Sequence, residues 1–215
     1  MRACASTARS SHSVCSAGCG ADPEGGRLPY PFVESPNKTP ATGRAIDVVV
    51  MHTMEIAERP DAALICARWF AAPVSKVSAH YCVDARRVIS CVREQDIAWH
   101  ARGGNTDSIG VELAGYAHQT GNEWGDEYSS AVLARAATLV ADVCRRRRIP
   151  TRWLVAGDLV AGRRGITGHS EVSAAYGRSD HWDPGPGFPI ESFLDRVRRA
   201  QQAARAKGGS ASARA

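Results

Sequence analysis

Between Ala45 and His52 the chain reads AIDVVVMH, and apart from Asp47 every residue from Ile46 to Met51 is apolar. The run is too short for a stable helix and lacks the apolar/polar alternation of a half-wetted strand. It therefore suits a strand covered on both faces. A strand of that kind needs layers packed above and below it, which points away from a helical bundle or a one-sided sheet.

The rest of the chain supplies those layers. ERPDAALICARWFAAP reads as a helix with Pro60 near its first turn and Pro73 after its end. SAHYCVDARRVISCV reads as two strands around a tight turn near Arg86 and Arg87, and SIGVELAG as a further strand. From Glu127 to Arg148 the apolar positions Val132, Ala136, Leu139, Val140 and Val143 recur with helical spacing, and Pro150 closes the segment. GITGH is a short strand reaching His169. A last helix is expected from Ile190 to about Lys207, with Phe193, Leu194 and Val197 inward. Strands alternating with helices predict a single α/β domain with a central mixed sheet flanked by helices.

The expected layout is a disordered tail over residues 1–28, a domain over 29–200 and a disordered tail over 201–215. The Pro-punctuated stretch LPYPFVESPNKTPATGR is expected to lie as an irregular arm over the domain. The N-terminus begins with a positive charge but has no apolar h-region, so it is not a complete signal peptide. SAGC, ending at Cys19, partly matches a lipoprotein cleavage box. The expected location is the cell envelope or the exterior if a targeting segment is missing from the start, and the cytoplasm otherwise. No stretch reaches the roughly 18 apolar residues of a membrane span.

A formal charge of +5 and a pI near 9.0 are mildly basic, with the run Arg145–Arg148 read as solvated surface. Basic residues are not interleaved with aromatics, which argues against nucleic acid. Seven cysteines leave at least one thiol outside any intrachain disulfide. Cys66 and Cys144 fall on apolar helix faces, and Cys82 and Cys91 can face each other across the hairpin. A monomer is expected.

His52 and His169 each follow a strand directly, and open sheets present ligands at the carboxyl ends of their strands. Asp183 stands fourteen positions beyond His169, on a loop continuing Pro184-Gly185-Pro186-Gly187. Two imidazoles and one carboxylate form a set suited to one zinc ion with a fourth position open to water. Such an ion keeps a surplus of positive charge, enough to bring the pKa of its water to about 7 and to polarise a carbonyl. Glu112 is the other conspicuous group. The period of two in SIGVELAG places Ile109, Val111 and Leu113 on one face, and Gly110 and Glu112 on the other. A carboxylate there is either wetted or engaged in chemistry such as general-base catalysis.

The segments VVVMHTM, SAHYCVD, DIAWHARGGNTDSIGVELAG, GITGHSEV and DHWDPGPGFP occur in that order. Together they resemble the type 2 N-acetylmuramoyl-L-alanine amidases, the group that includes phage amidase lysins and peptidoglycan recognition proteins. The likeness covers roughly residues 30 to 200, with SPN near Ser35 similar to the family's lead-in. It implies a zinc amidase domain with one Zn2+ held by His52, His169 and Asp183, and Glu112 as general base or proton shuttle. It implies that Trp99, His100 and Asn105 border the substrate groove, with His80 near the site and not a ligand. The implied substrate is peptidoglycan or a muropeptide, cut between the lactyl group of N-acetylmuramic acid and L-alanine.

Two positions depart from that family. Many members carry lysine two residues before the aspartate, thought to stabilise the oxyanion, whereas this chain has His181. A histidinium donates the same hydrogen bond only while protonated, so activity falling as pH rises is one expectation, and a neutral structural role is the other. The hairpin VDARRVI lacks the glycine often seen at this turn. Two rival readings remain in view. One is a non-catalytic peptidoglycan-binding module of the same fold. The other is a serine hydrolase at GHSEV, where Val172 replaces the last glycine of the nucleophile elbow.

Overall fold

A computed structural model describes residues 30–212. The expected N-terminal tail, with Cys4, Cys15 and Cys19, lies outside the described residues. In chain order the strands are β1 (Lys38–Thr39), β2 (Val48–Thr53), β3 (Tyr81–Val83), β4 (Val88–Ser90), β5 (Ile97–Ala98), β6 (Ser108–Leu113) and β7 (Gly165–Gly168). The α-helices are α1 (Ala62–Ala71), α2 (Glu127–Arg147), α3 (Ala156–Val160), α4 (His169–Tyr176) and α5 (Ile190–Ser212).

Five strands form a mixed sheet in the order β4-β3-β6-β2-β7, with only the β3–β4 pair antiparallel. β2 sits between β6 and β7 and is buried along its whole length, as its apolar run requires. Its two faces serve different layers. Val49 and Met51 join Ile109, Val111 and Leu113 in a core closed by α2 and α5. Val48 and Val50 pack with Leu159 and Val172 of α3 and α4 on the other face, where α1 covers Cys82 and Ile89. α2 contributes nine buried residues to the first core. Truncating one of them, such as Leu133, to alanine costs about 2–5 kcal/mol.

The arm preceding β2 is ordered by particular bonds. Ser35 is fully buried, and its hydroxyl donates to the Phe70 carbonyl at 2.6 Å. The Asn37 amide donates to the carbonyls of Phe70 and Ala72, both at 2.9 Å. The bonds to Phe70 satisfy a carbonyl that the end of α1 would otherwise leave without a donor. The hairpin needs no glycine because buried Asp84 organises it. Its carboxylate accepts from the backbone N–H groups of Arg86 at 2.7 Å and Arg87 at 2.8 Å, and its second oxygen accepts from Ala63 at the start of α1. An aspartate turn of this kind replaces left-handed backbone with side-chain hydrogen bonds.

Part of the arginine run is not simply solvated surface. Arg146 and Arg147 both grip Glu94 at 2.7 Å, and Tyr81 donates to the same carboxylate at 2.7 Å. Arg145 does stay at the surface, paired with Asp142. Two further differences concern the C-terminal third. His169 opens an eight-residue helix instead of a turn-rich loop. α5 continues to Ser212, past the boundary expected at residue 200 and past Lys207. Alanine, glutamine and arginine in QQAARAK favour the helix strongly enough to extend it.

Candidate active site

The sheet register assembles the site. His52 on β2 stands directly opposite Glu112 on β6, and Glu112 stands opposite Cys82 on β3. On the other side Met51 pairs with Gly168, so the chain leaves β7 and enters α4 one residue later, at His169. Side chains at one level of a sheet share a face. One crosswise row therefore delivers two imidazoles and a carboxylate to the same edge of the core.

Asp183 arrives from the far side of the loop that follows α4. Its Oδ2 is 3.0 Å from His52 Nδ1 and its Oδ1 is 3.3 Å from His169 Nδ1. Gly185, at φ +85°, allows the close approach of this loop, because a Cβ there would lie 1.7 Å from the Ala117 carbonyl oxygen. Burial alone would raise the Asp183 carboxyl, but the neighbouring His169 and His52 outweigh it and hold it well below the usual carboxylate range. One ligand atom from each of His52, His169 and Asp183 can be chosen so that all lie within 4.8 Å of one another. Bonds of about 2.0 Å at tetrahedral angles separate neighbouring ligands by about 3.3 Å, so two imidazoles and a carboxylate this near one another are chemically suited to share one divalent ion.

The outer nitrogens of both histidines are also engaged. His52 Nε2 is 3.0 Å from His100 Nδ1, His100 Nε2 is 3.1 Å from Ser108 Oγ, and the Ser108 hydroxyl donates to the Gly104 carbonyl. Since that carbonyl only accepts, the donors run in one direction: Ser108 to Gly104, His100 to Ser108, His52 Nε2–H to His100. The chain leaves the His52 Nδ1 lone pair facing Asp183, the tautomer a metal ligand needs. Burial and neighbouring His52 keep His100 neutral, its pKa well below the ordinary histidine value. Gly110 makes room for this ring, since a Cβ there would lie 2.5 Å from His100 Cγ. His169 Nε2 is 3.3 Å from Ser179 Oγ.

Glu112 differs in having no hydrogen bond or ion pair from the described residues. Burial first, then Cys66, Asp183 and Glu55, push its carboxyl well above the usual range. It lines a cavity of about 390 Å³ together with all three candidate ligands, His100 and His181. Trp69, Trp99 and Trp182 form aromatic parts of the wall, and Trp69 and Trp182 are 55% and 52% exposed.

Comparison with known proteins agrees with this geometry. The family profile of N-acetylmuramoyl-L-alanine amidase (Amidase_2) matches residues 42–186. The chain belongs to this amidase family. A relative, N-acetylmuramoyl-L-alanine amidase A of Achromobacter lyticus, is 31% identical over 157 residues, which make up 69% of this chain and 81% of that protein. The hydrolase AmiA of Staphylococcus aureus, solved with its ligand, shares the fold with a TM-score of 0.63 at 16% identity, over 82% of this chain and 84% of that one. A mutant endolysin from Bacillus subtilis does so with a TM-score of 0.53 at 18% identity, over 77% of this chain and 97% of that one.

The amidase structure brings His52, His169, Asp183, Glu112, His181, Trp99 and His100 to the cavity wall. His181 stacks on His169 with ring centroids 4.5 Å apart, and its Nδ1 lies 3.7 Å from Asp183 Oδ1. Two of the expected residues, His80 and Asn105, stand off the cavity wall. His80 is fully buried and is not part of the cavity wall. Its Nδ1 accepts from the Gly110 N–H at 3.0 Å, so Nε2 carries the proton and donates to the Asp96 carbonyl at 3.2 Å. Burial, then the neighbouring Arg44 guanidinium, lowers its pKa to about 3 and keeps it neutral. Asn105 also stands off the cavity, its Oδ1 accepting from the backbone N–H groups of His100 at 3.1 Å and Ala101 at 2.7 Å. It shapes the loop that carries His100. Cys82 and Cys91 do face each other, as free thiols with sulfurs 3.7 Å apart.

Sequence reasoning missed Glu55, Trp69 and Trp182 as parts of this wall. Trp182 sits between two residues already singled out, and that adjacency was the available signal. Trp69 was hidden inside a helix read only for its buried face.

Proposed function

We propose that the amidase performs zinc-dependent hydrolysis of the amide joining the lactyl group of N-acetylmuramic acid to L-alanine of the stem peptide. The observation that carries this reading is the meeting of His52, His169 and Asp183 beside an unpartnered Glu112. His52 and His169, through Nδ1, and Asp183, through a carboxylate oxygen, would hold the ion. When bound, zinc lowers the pKa of water and polarises the scissile carbonyl.

The chain's own groups do the rest. Glu112 accepts a proton from the attacking water as the new C–O bond forms, and returns it to the amide nitrogen as the C–N bond breaks. Its withdrawal from solvent and its lack of a partner make its carboxylate a stronger base than an ordinary glutamate. His181, at the cavity wall beside His169, is placed to donate an N–H to the carbonyl oxygen as negative charge builds there. Trp99, with Trp69 and Trp182, offers flat apolar faces for the sugar rings.

Mass spectrometry of products from a defined muropeptide tests the bond directly. The expected products are a free lactyl carboxylate and a peptide beginning with free L-alanine, lost on chelation and restored by zinc. Cleavage at another bond, or activity that survives complete zinc removal, would overturn the reading.

A further inference from the structure

The chain carries a formal charge of +5, yet no lysine or arginine among the described residues lines the active-site cavity. The wall does carry three carboxylates, Asp183, Glu112 and Glu55. Asp183 is committed to two histidines and Glu112 to proton transfer, which leaves Glu55 without an assigned task.

Glu55 follows β2 closely and adopts φ +52°, the left-handed region that side chains other than glycine enter at a cost. Its Oε1 accepts from the Thr53 hydroxyl at 2.7 Å and from the Ala117 N–H at 2.8 Å. Those two donors fix the carboxylate through one oxygen, and no donor among the described residues bonds to Oε2. A strained, exposed carboxylate is thus held in the cavity wall with one oxygen available to a ligand. An exposed carboxylate oxygen with no donor on it, in a wall free of lysine and arginine among the described residues, attracts a cation.

The chemistry narrows the kind of cation. A guanidinium binds best across both oxygens of a carboxylate, and one is already occupied. A second metal ion would need further ligands, and the only metal-capable cluster among the described residues is His52, His169 and Asp183. An ammonium can bind a single carboxylate oxygen through one of its three N–H donors and leave the other two to water. The N-acetylated sugars carry no such cation, so the group belongs to the peptide. Resting on the amidase reading above, we propose that Glu55 forms a subsite for a primary ammonium on the peptide portion of the substrate.

The test uses two synthetic N-acetylmuramoyl peptides that differ at one stem position, lysine in one and Nε-acetyllysine in the other. The wild-type protein should show a KM about fivefold to tenfold lower for the lysine peptide, the effect of one charge-assisted hydrogen bond. In Glu55→Gln, whose amide oxygen still accepts from Thr53 and Ala117, the two KM values should converge. Raising the salt should narrow the wild-type difference as well, a measurement that needs no variant. Equal wild-type KM values at low salt, or a Glu55→Gln change that affects both peptides alike, would overturn the subsite while leaving the amidase reading intact. Cleavage of neither peptide by zinc-loaded wild type would overturn both.

Discussion

Glu94 and Glu112 are both largely withdrawn from water, and the protein treats them in opposite ways. Burial would raise Glu94 too, but Arg146, Tyr81 and Arg147 outweigh it and bring its pKa down to about 2. Glu112 has no such donors and is pushed the other way. The carboxylate at Glu94 ties β3 to the end of α2. The carboxylate at Glu112 is left ready to take a proton. One region spends its charges on holding the fold, and the other leaves a carboxylate without a partner among the described residues in the cavity wall.

Substitution at Glu112 should break the comparison most visibly. Glu112→Gln should lower turnover about 10³-fold, as loss of a general base does, while calorimetry of the metal-free protein shows an unchanged or higher Tm. A parallel fall in activity and Tm would mean that Glu112 is structural. Glu94→Gln should do the reverse, costing about 2 kcal/mol of stability because two arginines lose their counter-charge, with kcat on a defined muropeptide within about twofold of wild type.

Acidification sharpens the contrast, and the two signs differ. Glu94 has a folded pKa below its unfolded value. Its contribution is present above the unfolded value and is lost as pH falls towards about 2. Glu112 has a folded pKa above its unfolded value, so the metal-free protein loses stability as pH rises from the ordinary carboxylate range upward. Denaturant titrations should therefore give stability differences from wild type of opposite sign at pH 7 for the two glutamine variants. Both differences should shrink towards zero in acid. The smallest expected effect lies one step out from the site. Ser108→Ala removes the acceptor at the end of the His52–His100 chain and should weaken zinc binding about tenfold, read by competition with a chromophoric chelator.

What the sequence disclosed follows from how local each signal is. β2 and β6 were legible because a buried strand needs an apolar run, and α2 because nine of its residues face one core. His52 and His169 were legible because each stands at the end of a strand. α4 was missed because eight residues give barely two turns of periodicity, and glycine, serine and proline around them read as a loop. Asn105 was expected at the groove and His80 near the site because the segments that carry them resemble those of the family. Their roles depend on the Gly110 N–H and on the His100 backbone, contacts that only the folded chain creates. Glu55 was invisible for the same reason, since Ala117, 62 residues away, fixes its carboxylate.

The arm that fastens α1 has a practical consequence. The family profile matches from residue 42, whereas Ser35 and Asn37 hold the carbonyls of Phe70 and Ala72, which flank the helix end bearing Trp69. The matched segment and the mechanically complete one thus have different borders in this molecule. A fragment cut at residue 42 would keep every candidate metal ligand and lose the buckle beneath one wall of its own cavity.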